Sequence, residues 1–294
     1  MMESMSASTR RAFLAQTAAI LPITQAALLA REALHKDNLG VQLYTVRNVI
    51  DANPLKTLKA IQDIGYAEIE AVYADLPHIW SALEQTQLKA VSVHVDAKLL
   101  LAGGSELDDA FGKLRQRGFH YAVFPYLDES QRGGLAVYKK LAATFNKIGE
   151  QAKAHGLTFC YHNHAFEFQP MDGTMPLNIL LNETDKNLVS WEMDIFWVSV
   201  AGHDPVKLLK EHGDRVKLLH LKDKARGFPT QYNEHVPKST FKEVGHGSIN
   251  IPAVLSAAAS TQVRHYFVEQ DQTPGDPVNS LRESYQYLTS VMKS

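Results

Sequence analysis

From residue 38 onward the chain alternates short apolar runs with longer amphipathic segments. The apolar runs are rich in β-branched and aromatic residues, which indicates buried strands, and the segments between them repeat apolar positions at helical spacing. The pattern predicts strands at 39–46, 66–72, 88–95, 121–127, 157–164, 188–197, 216–223 and 264–271. It predicts helices at 54–64, 76–87, 106–116, 134–155, 175–181, 205–212, 252–259 and from 277 to about 291.

Proline and glycine support these boundaries. Pro54, Pro205 and Pro252 stand at helix starts, where the missing N–H costs nothing, and glycines such as Gly65 and Gly156 stand where a helix ends before a strand. Eight strand–helix units predict a single-domain (β/α)₈ TIM barrel over residues 38–294. An open doubly wound sheet is the alternative, but no GxGxxG motif follows the first strand. The long loop at 224–250 is expected to act as a lid or substrate clamp.

The first 35 residues do not fit the barrel pattern. Arg10 and Arg11 precede Phe-Leu and a short, uncharged, mildly apolar run, which is typical of a twin-arginine export signal. The run is too short and too interrupted for a stable membrane span. We therefore expect a leader at 1–35 and a periplasmic or otherwise exported protein; without a functional signal it would stay in the cytoplasm.

Composition excludes several classes of protein. The 30 Lys and Arg against 32 Asp and Glu give a net charge of −2, so no basic surface for nucleic acid is expected. This argues against a metal-dependent DNA-repair endonuclease. Cys160 is the one cysteine, so an internal disulfide or a cysteine metal site is impossible and any ligands must be His, Asp or Glu.

Polar residues recur near the carboxyl ends of the predicted strands, the end where barrel active sites lie. The segment 161–168, YHNHAFEF, is the richest, because it closes a strand with His162 and His164 on one face and Glu167 in the following loop. The other inward-facing polar residues are Gln42, Tyr44, Glu68, Glu70, Ser92, His94, Asp96, Glu192, Asp194, His220, Lys222, Glu269 and Asp271. Such convergence is costly unless the groups are paired or bind a metal.

We predict one divalent cation held by Glu167, Asp194, His220 and Glu269, one from each of four successive strand–helix units. Carboxylates with one imidazole suit Mn²⁺ first, with Mg²⁺, Co²⁺ or Zn²⁺ as alternatives. The plain structural alternatives stay open: a satisfied core histidine at 220, or a helix-entry carboxylate at 167. The acceptor that would orient the second ring nitrogen of a histidine ligand is not identifiable.

The chain resembles the xylose isomerase-like TIM-barrel family, the sugar phosphate isomerases and epimerases. The matching segments are GVQLYTVR at 40–47, GYAEIEAV at 65–72, YHNHAFEF at 161–168, MDIFW at 193–197, HLKD at 220–223, EVGHGSINIP at 243–252 and YFVEQD at 266–271. The resemblance implies a metal held by Glu, Asp, His and Glu, which carries over to Asp194, His220 and Glu269. Where the sugar epimerases present a glutamate on the fifth strand, this chain has Tyr161 or His162, so Glu167, His164 or His162 is the fourth ligand. The HNH segment is more similar to a subgroup that processes oxidised sugars and catalyses elimination.

The implied chemistry is proton abstraction from the carbon beside a sugar carbonyl, through an enediolate. His164 is the expected base, Glu269 or Glu167 serves as both ligand and proton acceptor, and Lys222 holds a substrate oxygen. Expected substrate contacts are Gln42, Tyr44, Glu70, His94 and His162, with Arg47 as a weaker candidate.

Three fates of the enediolate stay open, namely epimerisation, isomerisation and elimination. We rank isomerase or epimerase first and lyase on a 3-keto-glycoside second. A non-catalytic exported sugar-binding protein is the third reading. The expected partner is a small sugar or keto-glycoside, not nucleic acid, and a homodimer remains open.

Overall fold

Eight parallel strands form a closed barrel in the computed structural model, which describes residues 35–293. The predicted leader at 1–35 falls almost entirely outside these residues. The strands are β1 Leu39–Gln42, β2 Glu68–Val72, β3 Lys89–His94, β4 Tyr121–Phe124, β5 Thr158–His162, β6 Val189–Asp194, β7 Val216–Leu221 and β8 His265–Val268. Each strand pairs with its sequence neighbours, and β1 pairs with β8 to close the ring. The prediction of a (β/α)₈ barrel is confirmed.

Helices surround the barrel and connect its strands. They are α1 Arg47–Ile50, α2 Pro54–Ile64, α3 Leu76–Leu83, α4 Ala97–Ala102, α5 Gly104–Gln116, α6 Leu135–Ala154, α7 Pro176–Asn182, α8 Ile195–Val200, α9 Pro205–His212, α10 Ile251–Ala258 and α11 Pro277–Lys293. Asn53 caps α2 at its amino end, and Gly65 ends that helix with a φ of 118°, a conformation that glycine adopts without strain. No helix within residues 35–293 is long and apolar enough to cross a membrane.

Several strands end earlier than the apolar pattern predicts. The predicted strand at 188–197 stops at Asp194, because that carboxylate caps α8 and turns the chain into a helix. The predicted strand at 39–46 stops at Gln42, whose side chain caps a 3₁₀ turn over Leu43–Val46. In both cases a polar side chain at the carboxyl edge of the sheet bonds to the following backbone and ends the strand.

The interior of the barrel is layered. At the amino end of the strands, His265 Nδ1 lies 2.7 Å from Glu68 Oε2, so Glu68 is far from the carboxyl-end site where the sequence placed it. Above this pair lies an apolar layer, composed of Val91, Val123, Cys160, Leu218 and Phe267. The polar groups of the candidate site lie beyond that layer, at the carboxyl end of the strands.

The loop after β7 is anchored at both of its ends. Asp223–Lys224 forms a short antiparallel pair with Phe241–Lys242. The carboxylate of Asp223 accepts backbone N–H groups from Gly245, Gly247, Ser248 and Ile249 at 2.9–3.1 Å. A Cβ atom at Gly247 would lie 2.2 Å from Asp223 Oδ1, so this approach requires glycine. Both ends of the loop are thus fixed near the carboxyl end of β7, and its action as a lid or substrate clamp stays a prediction.

Candidate metal centre

Four side chains converge at the carboxyl ends of strands β5 to β8. His162, Asp194, His220 and Glu269 are buried, and their candidate ligand atoms lie within 4.8 Å of one another. His220 Nδ1 lies 2.9 Å from Glu269 Oε2 and 4.0 Å from Asp194 Oδ2, and His162 Nε2 lies 3.8 Å from Asp194 Oδ2. This buried cluster could hold a metal ion.

Asp194 is fixed by its local sequence. Its Oδ1 accepts the backbone N–H groups of Phe196 at 2.8 Å and Trp197 at 3.0 Å, so one carboxylate oxygen caps α8. Its Oδ2 is buried and accepts no hydrogen bond from the described residues, and the Lys222 ammonium lies 3.0 Å away. Asn163 Oδ1 accepts the backbone N–H of Asp194 and the indole N–H of Trp191, which ties β5 to β6 at this point. Asp194 therefore presents one oxygen to the cluster in a fixed orientation.

Two glutamates inside the barrel orient the two histidines of the cluster. His220 Nε2 lies 2.6 Å from Glu70 Oε2, and His162 Nδ1 lies 3.0 Å from Glu192 Oε2. With these nitrogens donating to carboxylates, His220 Nδ1 and His162 Nε2 are left to bind a cation. Glu70 and Glu192 are the orienting acceptors that the sequence could not identify.

His94 joins the two orienting glutamates. Its Nε2 atom lies 2.9 Å from Glu192 Oε2 and 3.1 Å from Glu70 Oε2. Burial opposes the positive charge of His94, but the two carboxylates outweigh it and raise its pKa to about 10. Burial and the charge of Glu70 raise the pKa of Glu192 to about 7. Burial also opposes ionisation of Glu70, yet His94 and His220 hold its pKa well below the usual range.

Lys222 is buried and lies at the centre of a cluster of three carboxylates, of which Asp194 and Glu269 are buried and Asp271 is partly exposed. Its Nζ atom is 2.7 Å from Glu269 Oε2, 2.8 Å from Asp271 Oδ2 and 3.0 Å from Asp194 Oδ2. Burial disfavours the ammonium form, but the surrounding carboxylates raise the pKa of Lys222 well above its usual value. Its positive charge compensates the acidic groups of the site.

Glu167 is not part of this cluster, which corrects its prediction as the fourth ligand. Its carboxylate accepts the hydroxyl of Tyr161 and the backbone N–H of His164, the latter at 2.9 and 3.0 Å. Tyr161 lies on the outer face of β5 among Phe124 and Phe145. Because Glu167 bonds to that face, its carboxylate is turned away from the barrel axis, and His162 occupies the expected place of the fourth ligand.

A cavity of about 660 Å³ opens above the candidate metal centre. Six of the predicted site residues line it: Tyr44, His94, His162, His164, Lys222 and Glu269. Two predicted substrate contacts, Gln42 and Glu70, are fully buried: Gln42 Nε2 donates to Glu70 Oε2 at 2.8 Å. Glu70 contacts His220, Gln42 contacts Glu70, and neither residue lines the cavity.

His164, the predicted base, stands beside the cavity with an uncommitted nitrogen. Its Nδ1 atom is buried and has no hydrogen-bond partner among the described residues. Its ring packs against Tyr126 and Trp197, with centroids 4.9 and 5.4 Å apart. Burial, reinforced by the charge of Lys222, lowers its pKa well below the usual histidine value. A neutral imidazole of this kind can accept a proton.

Sequence reasoning missed the roles of Asn163, Glu192 and Trp197. The bond between Asn163 and Asp194 joins two different strands, so no local pattern in the sequence indicates it. Glu192 was recognised as inward-facing, but its pairing with His162 and His94 was not. Trp197 lines the cavity with a buried indole N–H that has no partner within residues 35–293. A tryptophan three residues after an end-of-strand aspartate was the available signal.

The donor set fits a divalent cation. Two imidazoles and two carboxylates are common ligands of Mn, Fe, Co and Zn. Within residues 35–293, Asp194 Oδ2 is a buried acceptor that makes an ion pair with Lys222 but accepts no hydrogen bond. Magnesium and calcium prefer oxygen ligands throughout.

Comparison with known proteins agrees with the fold. Residues 104–291 match the family model described as a xylose isomerase-like TIM barrel. The chain is 27% identical over 158 residues to an inosose dehydratase of Clostridium botulinum, covering 50% of this chain and 52% of the relative. A second inosose dehydratase, from Clostridium perfringens, is 27% identical over 161 residues, covering 51% and 54%. The chain thus spans about half the length of the curated relatives it matches.

Solved structures show the same architecture. A sugar phosphate isomerase/epimerase from Parabacteroides distasonis superposes with a TM-score of 0.72 at 21% identity, covering 88% of this chain and 96% of that one. The IOLI protein, solved with a bound zinc atom, superposes with a TM-score of 0.67 at 16% identity, covering 87% and 98%. Because the family model matches more than half of its residues, the chain belongs to the xylose isomerase-like TIM barrel family.

Proposed function

We propose that this protein is a divalent-metal-dependent enzyme that removes a proton beside the carbonyl of a polyhydroxylated ketone and then eliminates a β-hydroxyl or β-alkoxyl group. The observation that carries the proposal is that a base, an ammonium group and a candidate metal centre lie around one cavity. His164 offers an uncommitted nitrogen, Lys222 offers an ammonium, and the cluster of His162, Asp194, His220 and Glu269 lies beside both.

A cation held by these four residues supplies a Lewis acid that stabilises negative charge on the oxygen of the substrate carbonyl. Two imidazole ligands favour manganese, cobalt or zinc over magnesium. Manganese remains the first of the expected metals. The zinc atom bound in the structure of the IOLI protein, which has a similar fold, supports zinc as an alternative.

The protein groups divide the proton transfers between them. His164 Nδ1 takes the proton from the carbon beside the carbonyl, and the electron pair of that C–H bond forms the enediolate. The C–O bond at the β carbon then breaks as the carbonyl re-forms, which leaves a carbon–carbon double bond beside the carbonyl. Lys222 donates the proton that the departing oxygen takes, so the leaving group departs as water or an alcohol. Solvent later reprotonates Lys222 and deprotonates His164.

Isomerisation or epimerisation is the second candidate, because it shares the first step. It requires a second group to return a proton to the other face or to the neighbouring carbon, and Glu269, a carboxylate of the metal-site cluster that also lines the cavity, would do so. The elimination is preferred because the curated relatives are dehydratases, and because the site pairs one base with one ammonium donor.

The test combines metal analysis with deuterium uptake from D₂O into 2-keto-myo-inositol, D-fructose, D-psicose and a methyl 3-keto-glucoside. Metal near one equivalent per chain, absent in Asp194→Ala and retained in His164→Gln, is expected together with exchange at one carbon that His164→Gln abolishes. His203→Gln, at a histidine outside this cavity, should keep both properties. An unsaturated product supports elimination, and an epimer or isomer supports the second candidate. Binding without metal or exchange would instead indicate a sugar-binding protein.

If the predicted leader is functional, the protein meets glycosides outside the cytoplasm. The group eliminated would then be the alkoxyl group of a keto-glycoside. We propose export on the sequence of residues 1–35 alone. Fractionation of cells that express the full chain, beside an Arg10→Lys, Arg11→Lys double variant, tests it.

A further inference from the structure

The loop after β7 brings a carboxylate of its own to the cavity, apart from the metal-site cluster. Glu234, Val236, Lys238 and Phe241 of this loop line the cavity. Glu234 makes no hydrogen bond or ion pair with the four candidate ligands in the part of the chain that the structure describes. It faces instead the wall built by the loop after β4, where Tyr126 lies.

Arg132 fixes one oxygen of Glu234. Arg132 Nη1 donates to Glu234 Oε2 at 3.1 Å, and Arg132 Nε donates to the carbonyl of Leu127 at 3.0 Å. The guanidinium carbon lies 3.5 Å from the ring centroid of Phe166 and 5.0 Å from that of Tyr126. The arginine is thus held by its own loop and by two aromatic rings, and it fixes the carboxylate beside the cavity.

The other oxygen of Glu234 has no partner within residues 35–293. Oε1 is buried and accepts no hydrogen bond from any described residue. An acceptor in this state is costly, whereas a bound hydroxyl group would satisfy it. Burial raises the pKa of Glu234, although Arg132 opposes the shift.

We propose that Glu234 is a substrate-binding residue that accepts a hydrogen bond from a hydroxyl group at the end of the substrate remote from the metal-site cluster, with Arg132 as its positioning residue. The inference rests on the proposed function for the class of ligand, a polyhydroxylated ketone. The cavity volume is in the range typical of small-molecule sites and leaves room for contacts beyond the reacting carbons. The lid would then select substrates by a distal hydroxyl group.

A neighbouring ion pair provides a matched control. His235 Nε2 lies 3.1 Å from Glu129 Oε1, and this pair joins the same two loops as Glu234 and Arg132. Its side chains are 78% and 55% exposed, and neither residue lines the cavity. A carboxylate that only ties the loops together should therefore behave like Glu129.

The test is isothermal titration calorimetry on the full chain with Mn²⁺ present. Two ligand pairs are compared: D-fructose with 6-deoxy-D-fructose, and methyl 3-keto-β-D-glucopyranoside with its 6-deoxy counterpart. The wild type should bind the hydroxylated member of at least one pair about tenfold more tightly. Glu234→Leu should abolish this preference with little change for the deoxy ligand, Glu234→Gln should reduce it, and Glu129→Gln should keep it. Arg132→Gln should lower the preference more than Arg132→Lys, since the lysine keeps the charge that holds Glu234.

Each other outcome has a definite meaning. Equal weakening of both members by Glu234→Leu, or no preference in the wild type, overturns the inference and leaves the proposed function intact. A preference that depends on Glu234, without deuterium exchange in any ketone, supports the inference while the proposed elimination fails. No binding of any ligand overturns both.

Discussion

His220 Nε2 lies 2.6 Å from Glu70 Oε2, although 150 positions separate the two residues in the chain. The same imidazole faces Glu269 through Nδ1 at 2.9 Å. One nitrogen is therefore oriented by Glu70 from within the barrel, and the other belongs to the candidate metal centre. A carboxylate that fixes a histidine in this way raises its basicity and selects its tautomer.

Glu70→Gln should therefore weaken metal binding without removing a ligand. We expect the dissociation constant for Zn²⁺ or Mn²⁺ to rise by about tenfold to a hundredfold, measured by competition with a chelating dye. Glu68→Gln is the matched control, because Glu68 lies on the same strand and bonds to His265 at the other end of the barrel. Equal affinities of the two variants would contradict the role of Glu70.

Local patterns reveal the strands, but they do not reveal which residues meet across the barrel. The alternation within 157–164 correctly placed His162 on the inner face, whereas Asp194, predicted inside the strand at 188–197, ends β6 and caps α8. The partnership of Glu70 with His220 depends on the register of strands distant in sequence, which no local pattern encodes. Glu167 was misplaced because a loop residue has no fixed periodicity, and here a tyrosine on the outer face of β5 binds it.

His162→Ala and Glu167→Gln separate the two candidates for the fourth ligand. Because His162 belongs to the cluster and Glu167 does not, His162→Ala should lower the metal content well below one equivalent, and Glu167→Gln should leave it unchanged. Elemental analysis after gel filtration in metal-free buffer measures this. Loss of metal from Glu167→Gln with retention in His162→Ala would reverse the assignment.

Lys222→Met should destabilise the metal-free protein strongly. The buried ammonium offsets part of the negative charge of Asp194, Glu269 and the partly exposed Asp271, and removal of one partner from a buried ion pair costs about 3–5 kcal/mol. Urea unfolding in EDTA measures the loss, and added Mn²⁺ should recover part of it because a cation restores positive charge.

Lys224→Met is the control for this measurement. Lys224 is half-buried, and its ammonium donates a hydrogen bond to the carbonyl of Ser199 at 2.7 Å, so we expect a loss of about 1 kcal/mol. Similar losses in the two variants would show that the carboxylates around Lys222 do not depend on its charge.

Glu167 should make the stability of the protein fall as the pH rises. Burial, only partly opposed by the bond from Tyr161, raises the pKa of Glu167 from 4.5 to about 8. Between these values the folded protein keeps a proton that the unfolded chain has released, so the free energy of unfolding decreases with increasing pH. Above the folded pKa this decrease ends.

Urea unfolding across this range should show the slope in the wild type and in Glu150→Gln, an exposed control, and a smaller slope in Glu167→Gln. An unchanged slope in Glu167→Gln would mean that Glu167 is ionised throughout, held by Tyr161 and the His164 backbone.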